Sequence, residues 1–126
     1  DHFETNAMGP LMLTSIFLPL LRNGSKVILM TSRMGSIEDN DSGSHYAYRM
    51  SKAALNAAGK SLSIDLKERG VSVGIFHPGW IQTGMTGFTG NDTPETSAGQ
   101  LIDRINELNL ENTGAFWHAN GISLPW

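Results

Sequence analysis

The sequence predicts an α/β fold in which helices alternate with short strands of a parallel sheet. Three observations carry this. "KVILMTS" holds a continuous apolar run, Val27 to Met30, suited to a strand covered on both faces. "VSVGIFH" is a second strand, alternating and rich in β-branched residues. Stretches with helical spacing separate and flank the two, so crossovers join the strands in place of hairpins.

Each element follows in order. "PLMLTSIFLPLLRNG" has a broad apolar face and reads as a helix ending at Asn23-Gly24. The Val27–Met30 strand comes next, then the polar, turn-rich loop "SIEDNDSGSH". From about Tyr46 to Arg69 the chain favours helix. Ala53, Ala54, Leu55, Ala57, Ala58, Leu62 and Leu66 supply its apolar contacts, and Gly70 stops it. After the second strand, "PGWIQTGMTGFTGND" is a Gly-rich loop. Thr93-Pro94 is a helix start, with Thr as N-cap and Pro at the first helical position. Leu101, Ile102, Ile105 and Leu108 share one face of that helix. "GAFWHANG" ends the pattern as a short strand and a turn.

Composition narrows the function classes. Of 126 residues, 40% are hydrophobic and 17% charged, which suits a globular body and argues against disorder. A net charge of −3 without any Lys/Arg run speaks against nucleic acid and anionic membranes as partners. There is no cysteine, hence no disulfide and no thiolate metal site. The longest apolar stretch, Leu11 to Leu21, is too short to span a bilayer and lacks the flanks of a secretory signal. A cytoplasmic setting is the resulting expectation. The four histidines, His2, His45, His77 and His118, show no zinc-ligand spacing, so no metal is expected.

Ligands of open α/β sheets bind beyond the carboxyl ends of the strands. "TSRMGS" puts Ser32 at the end of the first strand, and "HPGWIQT" follows the second. Tyr48 and Lys52 lie four apart on the intervening helix, on one face. A free phenol has a pKa near ~10. A neighbouring ammonium lowers it, which fits the tyrosine for general acid–base work near neutral pH. A serine hydroxyl can hold a substrate oxygen against that phenol. No side chain in the set can donate hydride, so redox chemistry here requires a cofactor.

Ser32, the run Tyr48-Arg49-Met50-Ser51-Lys52 and the run Pro78-Gly79-Trp80-Ile81-Gln82-Thr83 resemble the short-chain dehydrogenase/reductase family in identity and order. "SRMGSI", "YAYRMSKAALN", "HPGWIQT" and "LPW" are similar, more narrowly, to its C-factor and Sniffer-type carbonyl reductases. The resemblance runs from Asn6 to Trp126. It implies an oxidoreductase moving hydride between NAD(P)H and a carbonyl or alcohol, with Tyr48 as acid/base. Lys52 would tune Tyr48 and hold the nicotinamide ribose, and Ser32 would orient the substrate. Asn6, in "ETNAMGPL", would complete a proton relay through a water. Pro78, Gly79, Ile81 and Thr83 would meet the nicotinamide. NADP is the expected cofactor, with NAD as the open alternative. The family also implies a homodimer or homotetramer built on the first helix and the Tyr48 helix, both of which carry surplus apolar surface.

Several points stay open at this level. The Ser32–Tyr48 interval exceeds the commonest family spacing, which makes Ser36 and Ser44 rival serines; the strand end favours Ser32. Tyr46 competes with Tyr48 but has Met50, not lysine, four residues on. Gly84 stands where the subgroup often has Asp. Trp80, Phe88 and Trp117 either line a pocket or pack. The strand and Gly-rich turn that receive a pyrophosphate are not found, and "GMTGFTG" is not that fingerprint. Residues 1–126 are therefore expected to form the C-terminal half of a Rossmann-type doubly wound sheet, part of one NAD(P)-binding domain of roughly 250 residues. Its first strand would then present an open edge prone to association. The competing expectation is a truncated, non-catalytic dimerisation or signalling fragment.

Overall fold

The computed structural model describes residues 1–126. Three parallel strands form the sheet: β1 (Lys26–Met30), β2 (Ser72–His77) and β3 (Phe116–His118), in that spatial order. Lys26 pairs with Ser72 and Met30 with Phe76, while Ile75 pairs with Phe116 and His77 with His118. The carboxyl ends of all three strands thus lie along one border. Helix α1 (Gly9–Phe17) precedes β1, α2 (Tyr46–Asp65) connects β1 to β2, and α3 (Pro94–Glu107) connects β2 to β3. This is the expected α/β alternation. β1 pairs only with β2 and is an edge strand, as expected. No helix is long and apolar enough to cross a membrane.

The core is Leu29, Leu55, Leu66, Val71, Val73, Ile75, Phe116 and Leu124, with Leu18, Leu21, Val27 and Leu62 packed against it. β2 is buried through Phe76 rather than half exposed, so its alternation divides two covered faces and does not mark a solvent side. Gly74 is part of that arrangement. A Cβ there would stand 2.5 Å from the Phe76 ring, which itself stacks on Trp117.

Helix α2 meets the sheet through small residues. Its buried positions are Ser51, Leu55, Asn56, Gly59 and Ser63, not the alanine face read from the sequence; Ala57 is exposed. Gly59 shows why. A Cβ at that position would lie 2.8 Å from Ile75 Cγ1 and Cδ1 and 3.0 Å from Leu29 Cδ1. A mid-helix glycine costs about 1 kcal/mol of helix propensity, and here it lets the helix backbone approach the strands closely.

The first helical stretch differs from expectation at both ends. It opens with a π-helical turn, Glu4–Met8, and α1 gives way at Leu18–Leu20 to a 3₁₀ turn containing Pro19. The chain is already extended at Leu21 (ψ 132°), short of the Asn23-Gly24 stop. Pro19 removes a backbone donor and crowds the preceding turn, which outweighs the apolar periodicity beyond it. At α3 the N-terminus is as read: Thr93 accepts from the Thr96 N–H at 3.2 Å and Pro94 opens the helix. α2 ends as expected too, passing through a 3₁₀ turn at Lys67–Arg69 to Gly70 at φ +73°.

Candidate active site

The loop leaving β1 is held at every step. Thr31 donates its hydroxyl to Asn56 Oδ1 at 2.5 Å, tying the strand end to α2. Ser32, extended and buried, caps a 3₁₀ turn (Arg33–Gly35) by accepting the Met34 N–H at 3.1 Å. Its hydroxyl hydrogen is thereby left for another acceptor. Gly35 lies against α2 so closely that a Cβ would stand 2.8 Å from the carbonyl carbon of Lys52. The Ser32 loop and the Lys52 turn are therefore in contact through backbone.

The rival serines are otherwise employed. Ser36 Oγ donates to the Trp126 carbonyl at 3.0 Å and accepts the Asp39 N–H at 3.0 Å, and it is buried. Ser44 is exposed in a left-handed turn at φ +62°.

On the first two turns of α2, the Lys52 amine sits 5.8 Å from the centroid of the Tyr48 ring. Lys52 Nζ donates to the Met30 carbonyl at 3.2 Å. Burial pushes the Lys52 amine below its ordinary pKa. The same burial thins the water that would screen its field at the neighbouring phenol. Tyr48 meets His2 edge to face, centroids 5.9 Å apart, and is half-buried, whereas Tyr46 is 80% exposed. That contrast favours Tyr48 over Tyr46 as the residue beside the strand ends.

Asn6 occupies the π-helical turn, a distortion often found at functional sites. Its Nδ2 donates to Ser51 Oγ at 3.1 Å, and Ser51 donates to the Tyr48 carbonyl at 2.8 Å. Asn6 is thus linked to the Tyr48 turn through one buried hydroxyl. Four residues on, Pro10 has no N–H to offer the Asn6 carbonyl.

The loop after β2 leaves the same border of the sheet. Gly79 adopts φ +99°, and a Cβ there would crowd His118 Cε1 at 3.3 Å and Nε2 at 3.4 Å. Ser97, fully buried on α3, donates to the Pro78 carbonyl at 2.8 Å and fixes the Pro78-Gly79 peptide. Ile81 bridges to Asp92. Thr83 caps the 3₁₀ turn Gly84–Thr86 reciprocally with Thr86, so the glycine at 84 sits in a closed turn. Trp80 and Phe88 are exposed, at 55% and 75%, and do not pack internally. Trp117 does, against Phe76.

His77 and His118 meet edge to face, centroids 5.1 Å apart, at the ends of β2 and β3. Burial, then the His118 and Arg33 charges, pushes His77 down to about 4. His118 is also lowered, by burial and Arg33 against the pull of Asp92. No three His, Cys, Asp or Glu side chains gather as a metal site requires. Sequence reasoning treated these histidines only as metal candidates, and it missed Ser51, Ser97 and Arg49. Arg49 Nε donates to the Gly43 and Ser44 carbonyls, pinning the polar loop to α2. Only its place one residue after Tyr48 hinted at that.

As a cofactor site the arrangement fits one end of a dinucleotide. The half-buried Lys52 amine and the positive-φ turn at Gly79 are the groups in this chain that could hold it. No Gly-rich strand-to-helix turn is present in the chain to take a pyrophosphate.

Comparison with known proteins bears on the whole arrangement. Residues 1–106 match the family described as Enoyl-(Acyl carrier protein) reductase. The chain is 45% identical to C-signal of Myxococcus xanthus, over 98% of its own length and 76% of that protein. Among solved structures it is similar to the carbonyl reductase Sniffer of D. melanogaster, with TM-score 0.91 and 37% identity. It is also similar to the NADPH-bound carbonyl reductase from chicken fatty liver, with TM-score 0.90 and 31% identity. Each covers 98% of the chain, and the chain spans 55% of each. With its parallel three-stranded sheet and its Tyr48–Lys52 turn beside the Ser32 loop, the chain belongs to the short-chain dehydrogenase/reductase family, as a match to the C-terminal region.

Proposed function

We propose that this chain is the catalytic part of an NADP-dependent carbonyl reductase, or of the reverse alcohol oxidation, working with a dinucleotide-binding half that supplies the pyrophosphate cradle. The observation that carries the reading is the half-buried Lys52 amine 5.8 Å from the Tyr48 ring centroid, at the carboxyl border of the sheet beside Ser32. The NADPH-bound relative supports the cofactor assignment. A nicotinamide, when bound, supplies the hydride that the carbonyl carbon receives. Ser32 gives its free hydroxyl hydrogen to the carbonyl oxygen and orients it. The Tyr48 phenol passes its proton to that same oxygen, and the Lys52 charge stabilises the phenolate left behind. Asn6 connects this turn to solvent for reprotonation. Pro78, Gly79, Ile81 and Thr83 would border a bound nicotinamide, and Lys52 would hold its ribose.

Tyr48→Phe tests the assignment in a protein carrying both halves. Turnover of a carbonyl substrate should fall by about 10²-fold or more, with NADPH affinity little changed. Turnover near that of the parent protein would refute the role.

A second reading has its own support: a non-catalytic dimerisation or signalling piece. It is favoured by the 45% identity to C-signal and by the apolar face that α1 leaves in solvent, which also suits a homodimer or homotetramer. Turnover separates the two, since a non-catalytic piece joined to the upstream half would reduce no carbonyl substrate with NADPH.

A further inference from the structure

Trp126 makes contacts that neither the resemblance nor the proposed chemistry requires. Its main-chain oxygen receives three donors: the Ile37 N–H at 2.7 Å, the Glu38 N–H at 3.0 Å and the Ser36 hydroxyl at 3.0 Å. All three belong to the segment that begins at Ser32. The indole stacks on Phe116 of β3, centroids 5.4 Å apart and planes 28° apart, and Phe116 is fully buried. The residues before Trp126 are anchored as well. Leu124 is part of the core and its N–H bonds the Phe116 carbonyl at 2.8 Å, while Ser123 bridges Trp117.

The tail is thus fixed to β3 and reaches back to the loop that leaves β1. These two strands do not touch each other; β2 separates them. The Trp126 oxygen is therefore a direct tie between the two outer strands at the border where the site lies. The loop it holds is short and has little other freedom. Ser32 accepts from Met34, Gly35 abuts Lys52, and Ser36 to Glu38 end on Trp126.

We propose that Trp126 is a positioning residue, whose main-chain oxygen, held in place by the indole on Phe116, latches the Ser32 loop in the register that presents the Ser32 hydroxyl to the substrate. The role in presenting Ser32 rests on the carbonyl-reductase reading; the latch itself does not. Removing the oxygen would leave three donors without a shared acceptor and free the loop to shift. A chain ending at Pro125 has its last oxygen about 3.5 Å short of the required place.

Amide hydrogen exchange tests this without cofactor or substrate. In a chain shortened by Trp126, exchange at Ile37 and Glu38 should rise about tenfold. Met34, whose N–H reports the Ser32 cap, should follow, while Val73 and Ile75 in the core keep their protection. Trp126→Phe retains both the oxygen and a stacking ring and should restore the parent pattern. If Met34 keeps its protection in the shortened chain, or if Val73 and Ile75 open equally, the proposal is overturned. Should the shortened chain fail to fold, Ser36→Ala decides. Faster exchange at Met34 with Val73 unmoved supports the latch, and no change at Met34 refutes it. Loss of the latch leaves the Tyr48 assignment standing, and the Tyr48→Phe result leaves the latch standing.

Discussion

Helices α1 and α2 make an instructive pair. α1 is the more apolar: Leu11, Met12, Leu13, Ile16 and Phe17 all lie within its nine residues. Yet it buries only Thr14, and Ile16 is 69% exposed. α2 is half polar and buries five residues, four of them Ser, Asn or Gly. Apolar content therefore does not decide which helix is inside. α2 is inside because its small residues let the backbone come close enough to the strands for Leu55 and Ile75 to pack. α1 lies over the edge strand, beside a groove lined by Pro10, Leu13, Phe17, Val27 and Leu29, and keeps most of its face in solvent. Exposed apolar side chains gathered on one helix are the composition expected of a contact surface, and Ile16 tests whether this face is one.

The contrast can be broken most sharply at Gly59. Gly59→Val should lower stability by about 2–3 kcal/mol, through overpacking against Ile75 and Leu29. A urea midpoint that did not move would mean that the helix is less tightly seated than its geometry indicates.

Acid should also act on the α2 side. His77 shares the sheet face of Ile75, and burial beside His118 and Arg33 holds it down at about 4 from an ordinary 6.5. The unfolded chain takes up the proton first as pH falls. The contribution is thus complete above about pH 6.5 and is lost on descent towards about pH 4. Allowing for partial solvent screening, about 2 kcal/mol is at stake. His77→Gln should flatten the stability profile in that window, as chemical denaturation across pH would reveal.

The smallest effect on stability is expected on α1. Ile16→Glu should change the unfolding free energy by no more than about 0.5 kcal/mol. If that face joins copies of the chain, the same variant should reduce the apparent mass in light scattering. An unchanged mass would remove α1 from the association surface.

Much of the architecture was legible in the sequence because it depends on local rules. The apolar run of β1, the Thr93-Pro94 helix start and the Gly70 stop are each decided by a few neighbouring residues, and each lies where they put it. The Tyr48–Lys52 pair was legible for the same reason, since a separation of four on a helix dictates a shared face. The early end of α1 was readable in principle from Pro19, but apolar periodicity masked it. The small-residue face of α2 was not readable: Ala and Ser, Gly and Asn look alike until the strand they approach is known.

By itself, then, the sequence determined the order of helices and strands, the places of Ser32 and Pro78-Gly79 just after two strands, and the shared helix face of Tyr48 and Lys52. Backbone propensity and helical geometry act over a few residues and need no partner. Only the tertiary structure decided that Ser36 is consumed by Trp126 while Ser32 keeps its hydroxyl hydrogen. It alone showed that Asn6 reaches the Tyr48 turn through Ser51, that Ser97 fixes Pro78, and that His77 packs, half-buried, against His118. Those outcomes depend on hydrogen-bond partners up to 90 residues apart in the chain, and which donor meets which acceptor at that range is settled by packing.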